Sequence, residues 1–229
     1  MRLSRVDELD LPNRPSLERD DECYYLREFT SRKGFDYSET NQLIYNLKKK
    51  PSSRGSPGYH YKTRAIQQCI VELRTALNLP AALQALAQWT LVPMPPSKTV
   101  EHPDYDDRME QIVRGLVAGG PEIDVRLLLR QRESMAAAHE SDVRPTVIEL
   151  LAMYEVVPQQ PPLRANGIIL CDDVLTQGTH FRAAKTILRT AYPELRVVGV
   201  FVAKAVRELD PVSEVVRAYF AGRNDDDGE

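Results

Sequence analysis

The chain is poor in most of the features that would place a protein at once. It has three cysteines in 229 residues, Cys23, Cys69 and Cys171, scattered without metal-ligand spacing. That excludes a zinc finger or a disulfide scaffold and leads us to expect buried free thiols in a reducing cytoplasm. No apolar run approaches a membrane span, and the opening MRLSRVDELD lacks the apolar core of a signal peptide. No internal repeat is evident. Charge is nearly balanced at −3, so the molecule as a whole is not a generic nucleic-acid or membrane binder. What remains is ordinary globular composition, 42% hydrophobic and 28% charged, in a length that can bury one domain plus an extension, or two small domains.

Against this background one stretch stands out, Gly167 to Leu188, reading GIILCDDVLTQGTHFRAAKTIL. Ile168, Ile169 and Leu170 have the character of a strand buried on both faces. Asp172 and Asp173 follow where that strand is expected to end. A polar turn, Thr176 to His180, leads into a helix with Phe181, Ala184, Ile187, Leu188 and Ala191 at helical spacing. A turn rich in hydroxyls and glycine at a helix start aims several N–H groups at one spot, which suits a phosphate. Gly178 allows close approach of the main chain, and two ionised carboxylates can accept from a pair of sugar hydroxyls. The alternative is a capped turn with two solvated acids.

This stretch resembles the PRPP-binding motif of type I phosphoribosyltransferases, PRPP being 5-phosphoribosyl 1-diphosphate. The resemblance implies that Asp172 and Asp173 contact the ribose 2- and 3-hydroxyls, while Thr176, Gln177, Gly178, Thr179 and His180 wrap the 5-phosphate. Gln177 stands where the family usually has Thr, and His180 where Thr or Ser is common. Thr176 occupies the position at which the hypoxanthine-type enzymes carry an acidic residue, which argues against that purine-salvage chemistry. Mg²⁺ is implied as a cofactor held mainly by substrate oxygens and water, with Asp172 or Asp173 contributing through water and no protein-only metal site.

Two further loops extend the resemblance. Thr90 to Val92 is expected to be a strand ending in Pro93-Met94-Pro95-Pro96-Ser97-Lys98. The family's pyrophosphate-contacting loop has this placement, which makes Ser97 and Lys98 candidates; a proline-stiffened turn with an exposed Lys is the plain alternative. Residues 105–118 form an amphipathic helix, stopped by Gly119-Gly120-Pro121, and Val125 to Leu129 a second strand. Between Arg130 and Pro145 the chain is polar. In the family a mobile loop here closes over the reacting centre, so Arg130, Arg132 and Arg144 are candidates for the diphosphate, with His139 a weaker one. The spacing of its arginines is similar to the ComF branch, although the N-terminal zinc-binding cysteines common in ComF-like proteins are missing. Residues 146–154 read as a helix, Arg196 to Ala203 as a buried strand, and Asp210-Pro211 as the start of a last helix before an acidic tail.

The front of the chain reads differently. Residues 1–22 are expected to be a loosely held arm, and Cys23 to Thr30 an apolar segment that docks elsewhere. Helices are expected from Ser38 as N-cap to about Lys49, from Tyr61 to Leu77, and from Pro80 to Gln88. Lys48, Lys49, Lys50, Arg54, Lys62 and Arg64, interleaved with Tyr59, His60 and Tyr61, form a basic cluster. One reading is contact with nucleic acid; the other, which we favour here, is dipole complementation and a solvated loop.

The expected architecture is therefore α/β: a parallel-sheet type I phosphoribosyltransferase fold over 89–222, preceded by a small α-helical module over 1–88 and followed by an acidic tail at 223–229. The expected function is that of a pentosyltransferase moving phosphoribose from PRPP to an unidentified acceptor with release of pyrophosphate. A non-catalytic PRPP or nucleotide sensor, with the basic segment Lys48 to Arg64 contacting nucleic acid or a partner, is the second reading, and a homodimer is left open.

Overall fold

The computed structural model describes residues 2–78, 85–118, 123–134, 145–158, 162–164 and 166–207. Its strands are β1 (Ser4–Arg5), β2 (Cys23–Thr30), β3 (Trp89–Pro93), β4 (Asp124–Val125), β5 (Leu129–Gln131), β6 (Tyr154–Val156), β7 (Gly167–Leu175) and β8 (Arg196–Val206). Its helices are α1 (Glu39–Leu47), α2 (His60–Ala76), α3 (Arg108–Val117), α4 (Val147–Met153) and α5 (Thr179–Ala191). Six strands make one sheet in the order β1-β2-β8-β7-β3-β4, parallel throughout except for β1 against β2. A separate antiparallel pair, β5 and β6, stands beside it.

The sheet is parallel because its central strands are apolar on both sides and helices cover both faces. On one face Leu43, Ile44 and Leu47 of α1, Ile66, Cys69, Ile70 and Leu73 of α2, and Met109, Ile112, Val113 and Leu116 of α3 pack against Cys171, Val200 and Val202. On the other, Leu150 of α4 with Phe181, Ala184 and Leu188 of α5 pack on Ile168, Leu170, Val197 and Phe201. This is an α/β fold with a mixed, mostly parallel sheet. No helix among the described residues is long and apolar enough to cross a membrane.

Helix ends follow their local signals. The Ser38 side chain accepts from the Asn41 N–H at the start of α1. Thr146 and Glu149 form a reciprocal capping box at α4.

Several expectations are corrected. Cys23 to Thr30 is a strand inside the main sheet, paired with β8 from Cys23–Gly199 to Thr30–Val206. Residues 2–22 are not a loose arm: Val6, Leu17 and Asp21 are buried, and Arg14 is only 2% exposed. Arg14 donates to the carbonyl of Ala205 at 2.7 Å. The single strand expected over Val125 to Leu129 is divided, β4 following β3 while β5 leaves to pair with β6. The strand carrying the two acids runs on to Leu175, because β8 continues beside it through Val174–Ala203 and Leu175–Lys204. The helix expected over Pro80 to Gln88 lies mostly outside the described residues, and the one beginning at Asp210, with the acidic tail, lies wholly outside them.

Candidate functional site

Successive side chains of a strand point to opposite faces, and the two acids near the end of β7 meet different surroundings. Asp173 is 4% exposed and turned toward α1 and α3. Arg108 donates to its Oδ2 through Nε at 2.9 Å and Nη2 at 2.5 Å, and Lys48 Nζ lies 3.2 Å from Oδ1. Arg108 reaches Asp106 through Nη1 at 2.6 Å. Asp106 also accepts from Lys62 at 2.7 Å. Lys62 Nζ in turn donates to the carbonyls of Leu47 and Lys49 at 2.6 and 2.9 Å, so it closes the C-terminal end of α1. Five groups of alternating sign thus join α1, α2, α3 and β7. Burial alone would raise the Asp173 pKa, but Lys48 and Arg108 outweigh it and hold the carboxylate below its usual range.

Asp172 is the opposite case. Burial and the neighbouring Asp173 charge push its pKa up to about 7. Its Oδ1 accepts from the Asp173 backbone N–H at 2.7 Å. Nearby, Tyr154 OH and His180 Nδ1 lie 2.7 Å apart. Burial, with the Asp172 charge added, raises the Tyr154 pKa, whereas burial lowers that of His180. His180 therefore uses its ring on Tyr154, at the junction of α4 and β6. Burial also raises all three thiols, Cys171 to about 12, which leaves it a packing residue and no nucleophile.

A left-handed glycine opens the turn into α5. Gly178 is the N-cap, with φ of 83° and no side-chain cap on the helix, which leaves the first-turn N–H groups without a side-chain acceptor from that position. Thr176 is exposed, while Gln177 and Thr179 are half-buried. The N-terminal segment lies across one side of this turn. Ser16 N–H donates to the Gln177 carbonyl at 3.2 Å, and Ser16 Oγ is 3.2 Å from Thr179 Oγ1. A Cβ at Gly178 would fall 2.6 Å from Leu17 side-chain carbons. Gly178→Ala is therefore expected to cost about 1–2 kcal/mol from its left-handed backbone alone, plus the clash. Urea titration separates the two: Gly178→Ala made in a Leu17→Ala background shows the backbone cost alone, and the extra loss in the parent background is the clash.

The other candidate loops meet at the same edge of the sheet. The Thr99 N–H donates to Ser134 Oγ at 3.0 Å, which ties the Ser97–Lys98 loop after β3 to the polar segment after β5. Ser97 is exposed and Lys98 half-buried. Arg130 and Arg132 are largely exposed and both engage Glu155, at 2.5 and 3.8 Å, so neither is drawn to the acid pair. Arg144 and His139 lie outside the described residues. A mostly apolar cleft of about 260 Å³ opens here, lined by Met94, Tyr105, Met109, Leu129 and Arg130, with Asp106 on its wall.

Arg108, Asp106 and Tyr154 were not singled out from sequence, and Lys48 and Lys62 only as part of a basic cluster. A signal existed for two of them. Arg108 and Lys62 sit in the first turns of α3 and α2, where a cation opposes the helix dipole. Lys62 also falls on the buried stripe of its helix with Ile66, Cys69, Ile70 and Leu73. A charge placed against both dipole and apolar face points to a buried partner.

The sequence matches no protein-family model and no curated protein. Among the described residues no three His, Cys, Asp or Glu side chains converge as a metal site. With Asp173 committed to Arg108 and Lys48, the available carboxyl is Asp172. That fits Mg²⁺ only in the manner of ions bound largely by substrate phosphates and water with one protein carboxylate.

Proposed function

We propose that this protein binds PRPP with Mg²⁺ on a type I phosphoribosyltransferase fold and transfers phosphoribose to an acceptor, releasing pyrophosphate. The observation that carries the reading is the β7–turn–α5 unit: a central parallel strand carrying Asp172 near its C-terminal end, followed by a helix that starts at a left-handed glycine without a side-chain cap. Ligands of open α/β sheets bind at this edge.

In this reading Thr176, Gln177, Gly178 and Thr179 hold the 5-phosphate. Asp172, once ionised, accepts from a ribose hydroxyl, and Asp173 is a positioning residue that fixes the end of β7. His180 orients Tyr154 through Nδ1 and joins the phosphate turn through its backbone N–H in the first turn of α5. Ser97 and Lys98 face the diphosphate, Arg130 and Arg132 reach it only by releasing Glu155, and the apolar cleft receives the acceptor. The C1–oxygen bond to the diphosphate breaks as an acceptor lone pair bonds to C1, and pyrophosphate leaves with the bonding electrons. The chain lowers the barrier by electrostatics, with carboxylate density near a cation-like C1 and basic groups near the leaving diphosphate. Mg²⁺ bound with the substrate would add charge neutralisation on that diphosphate.

The second reading, a PRPP sensor without turnover, is favoured by one feature: Ser16 and Leu17 of the N-terminal segment lie against the proposed phosphate turn. Incubating the protein with PRPP, Mg²⁺ and a panel of bases distinguishes the two. Pyrophosphate release supports transfer, and thermal stabilisation by PRPP without release supports the sensor. The absence of any PRPP-induced stabilisation rejects both.

A further inference from the structure

We propose that the outer surface of α1 and the start of α2 binds single-stranded nucleic acid, a role separate from the phosphoribose reading. Among the described residues, the four aromatic side chains that are exposed large hydrophobics, Phe35 (41%), Tyr37 (46%), Tyr45 (43%) and Tyr61 (44%), all come from this part of the chain. Phe35 and Tyr45 neighbour each other, and Tyr61 sits among cations. Phe35 and Tyr45 have ring centroids 6.5 Å apart. Lys49, four residues beyond Tyr45, lies 5.0 Å over the Tyr61 ring. Arg64 lies 5.5 Å from the same ring, and His60 stacks beside it at 4.1 Å.

Charge favours the same occupant. Residues 32–64 carry Arg32, Lys33, Lys48, Lys49, Lys50, Arg54, Lys62 and Arg64 against only Asp36 and Glu39. Lys48 and Lys62 are paired with Asp173 and Asp106, and the segment as a whole stays basic by formal charge on a chain whose total is −3. Cations interleaved with exposed rings suit a strand whose phosphates follow the charges and whose unpaired bases stack. A duplex, with its bases already stacked on one another, offers such rings no free base face.

The test is fluorescence anisotropy of the full chain with labelled oligothymidylate and oligouridylate of about 20 nucleotides, against a duplex of equal length, over a range of salt. The single strands are expected to bind more tightly than the duplex, whether DNA or RNA. Phe35→Ala/Tyr61→Ala should weaken single-strand binding roughly tenfold or more. Arg54→Glu/Arg64→Glu should weaken all sequences alike and flatten the salt dependence by about two ions. Phe35→Leu/Tyr61→Leu, which keeps apolar bulk, replaces the alanine pair if that pair lowers the melting temperature. Equal affinity for duplex and single strand, no loss in the folded ring variants, or no binding at low salt each overturns the proposal.

Discussion

Asp173→Asn is expected to lower the melting temperature by roughly 6–12 °C, whereas Asp172→Asn leaves it unchanged or raised at pH 8. Asp173 is the hub between Arg108 and Lys48, and removing one partner of a buried pair typically costs about 3–5 kcal/mol. Arg108 keeps Asp106, which argues for the low end, about 3 kcal/mol, or roughly 2–4 °C per kcal/mol for a chain of this size. Among the described residues Asp172 has no cationic partner of that kind, and its charge is held in the fold at a cost. Ligand binding should divide the other way. Folded Asp172→Asn should lose the stabilisation by PRPP and Mg²⁺ that the proposed function predicts for the parent chain. Retention of that stabilisation removes Asp172 from the site. Differential scanning fluorimetry with and without ligand reads both effects.

The second large effect is in pH. An Asp titrates near 3.9 in the unfolded chain and Asp172 near 7 in the fold, so the native state keeps a proton that the unfolded state has already released. Its contribution is fully present below about pH 4 and is lost as pH rises through about 7. The amount is roughly 2–4 kcal/mol at about 1.4 kcal/mol per pH unit. Asp173, held low, has the opposite sign and changes only in acid, as pH falls through its folded value. Subtracting urea-derived stabilities of Asp172→Asn from those of the parent, pH by pH, isolates the Asp172 slope. A flat difference between about pH 4 and 7 rejects the raised value. If PRPP binds as proposed, through the ionised Asp172, its affinity with Mg²⁺ is expected to rise over about the same interval at which Asp172 loses its proton, roughly pH 6 to 8.

The legible parts of the fold were those with strong local signals. Val197, Val198, Val200 and Val202 identify β8 without help from the rest of the chain, and Ile168 to Leu170 identify β7. Ser38 and the Thr146–Glu149 pair mark helix starts through bonds spanning three residues. β2 was missed because CYYLREFT carries Arg27 and Glu28 in its middle. Arg27 is satisfied by Glu72 of α2 at 2.5 Å, a partner 45 residues away, and the strand exists through pairing with β8, over 170 residues later. The arm was misread for the same reason. Its charges, Asp10, Arg14 and Asp21, look solvated in a row of letters, yet they meet Lys204, the Ala205 carbonyl and Lys185.

Taken by itself, the amino-acid order determined that a buried strand, two acids and a glycine turn precede an amphipathic helix, because those preferences act over a few residues. Only the tertiary structure decided that the two acids part company. Strand alternation sends Asp173 into a cage built from α1 and α3 and leaves Asp172 beside Tyr154 and His180. Ion pairing and desolvation depend on what the folded chain brings within a few ångströms, and no local pattern encodes that.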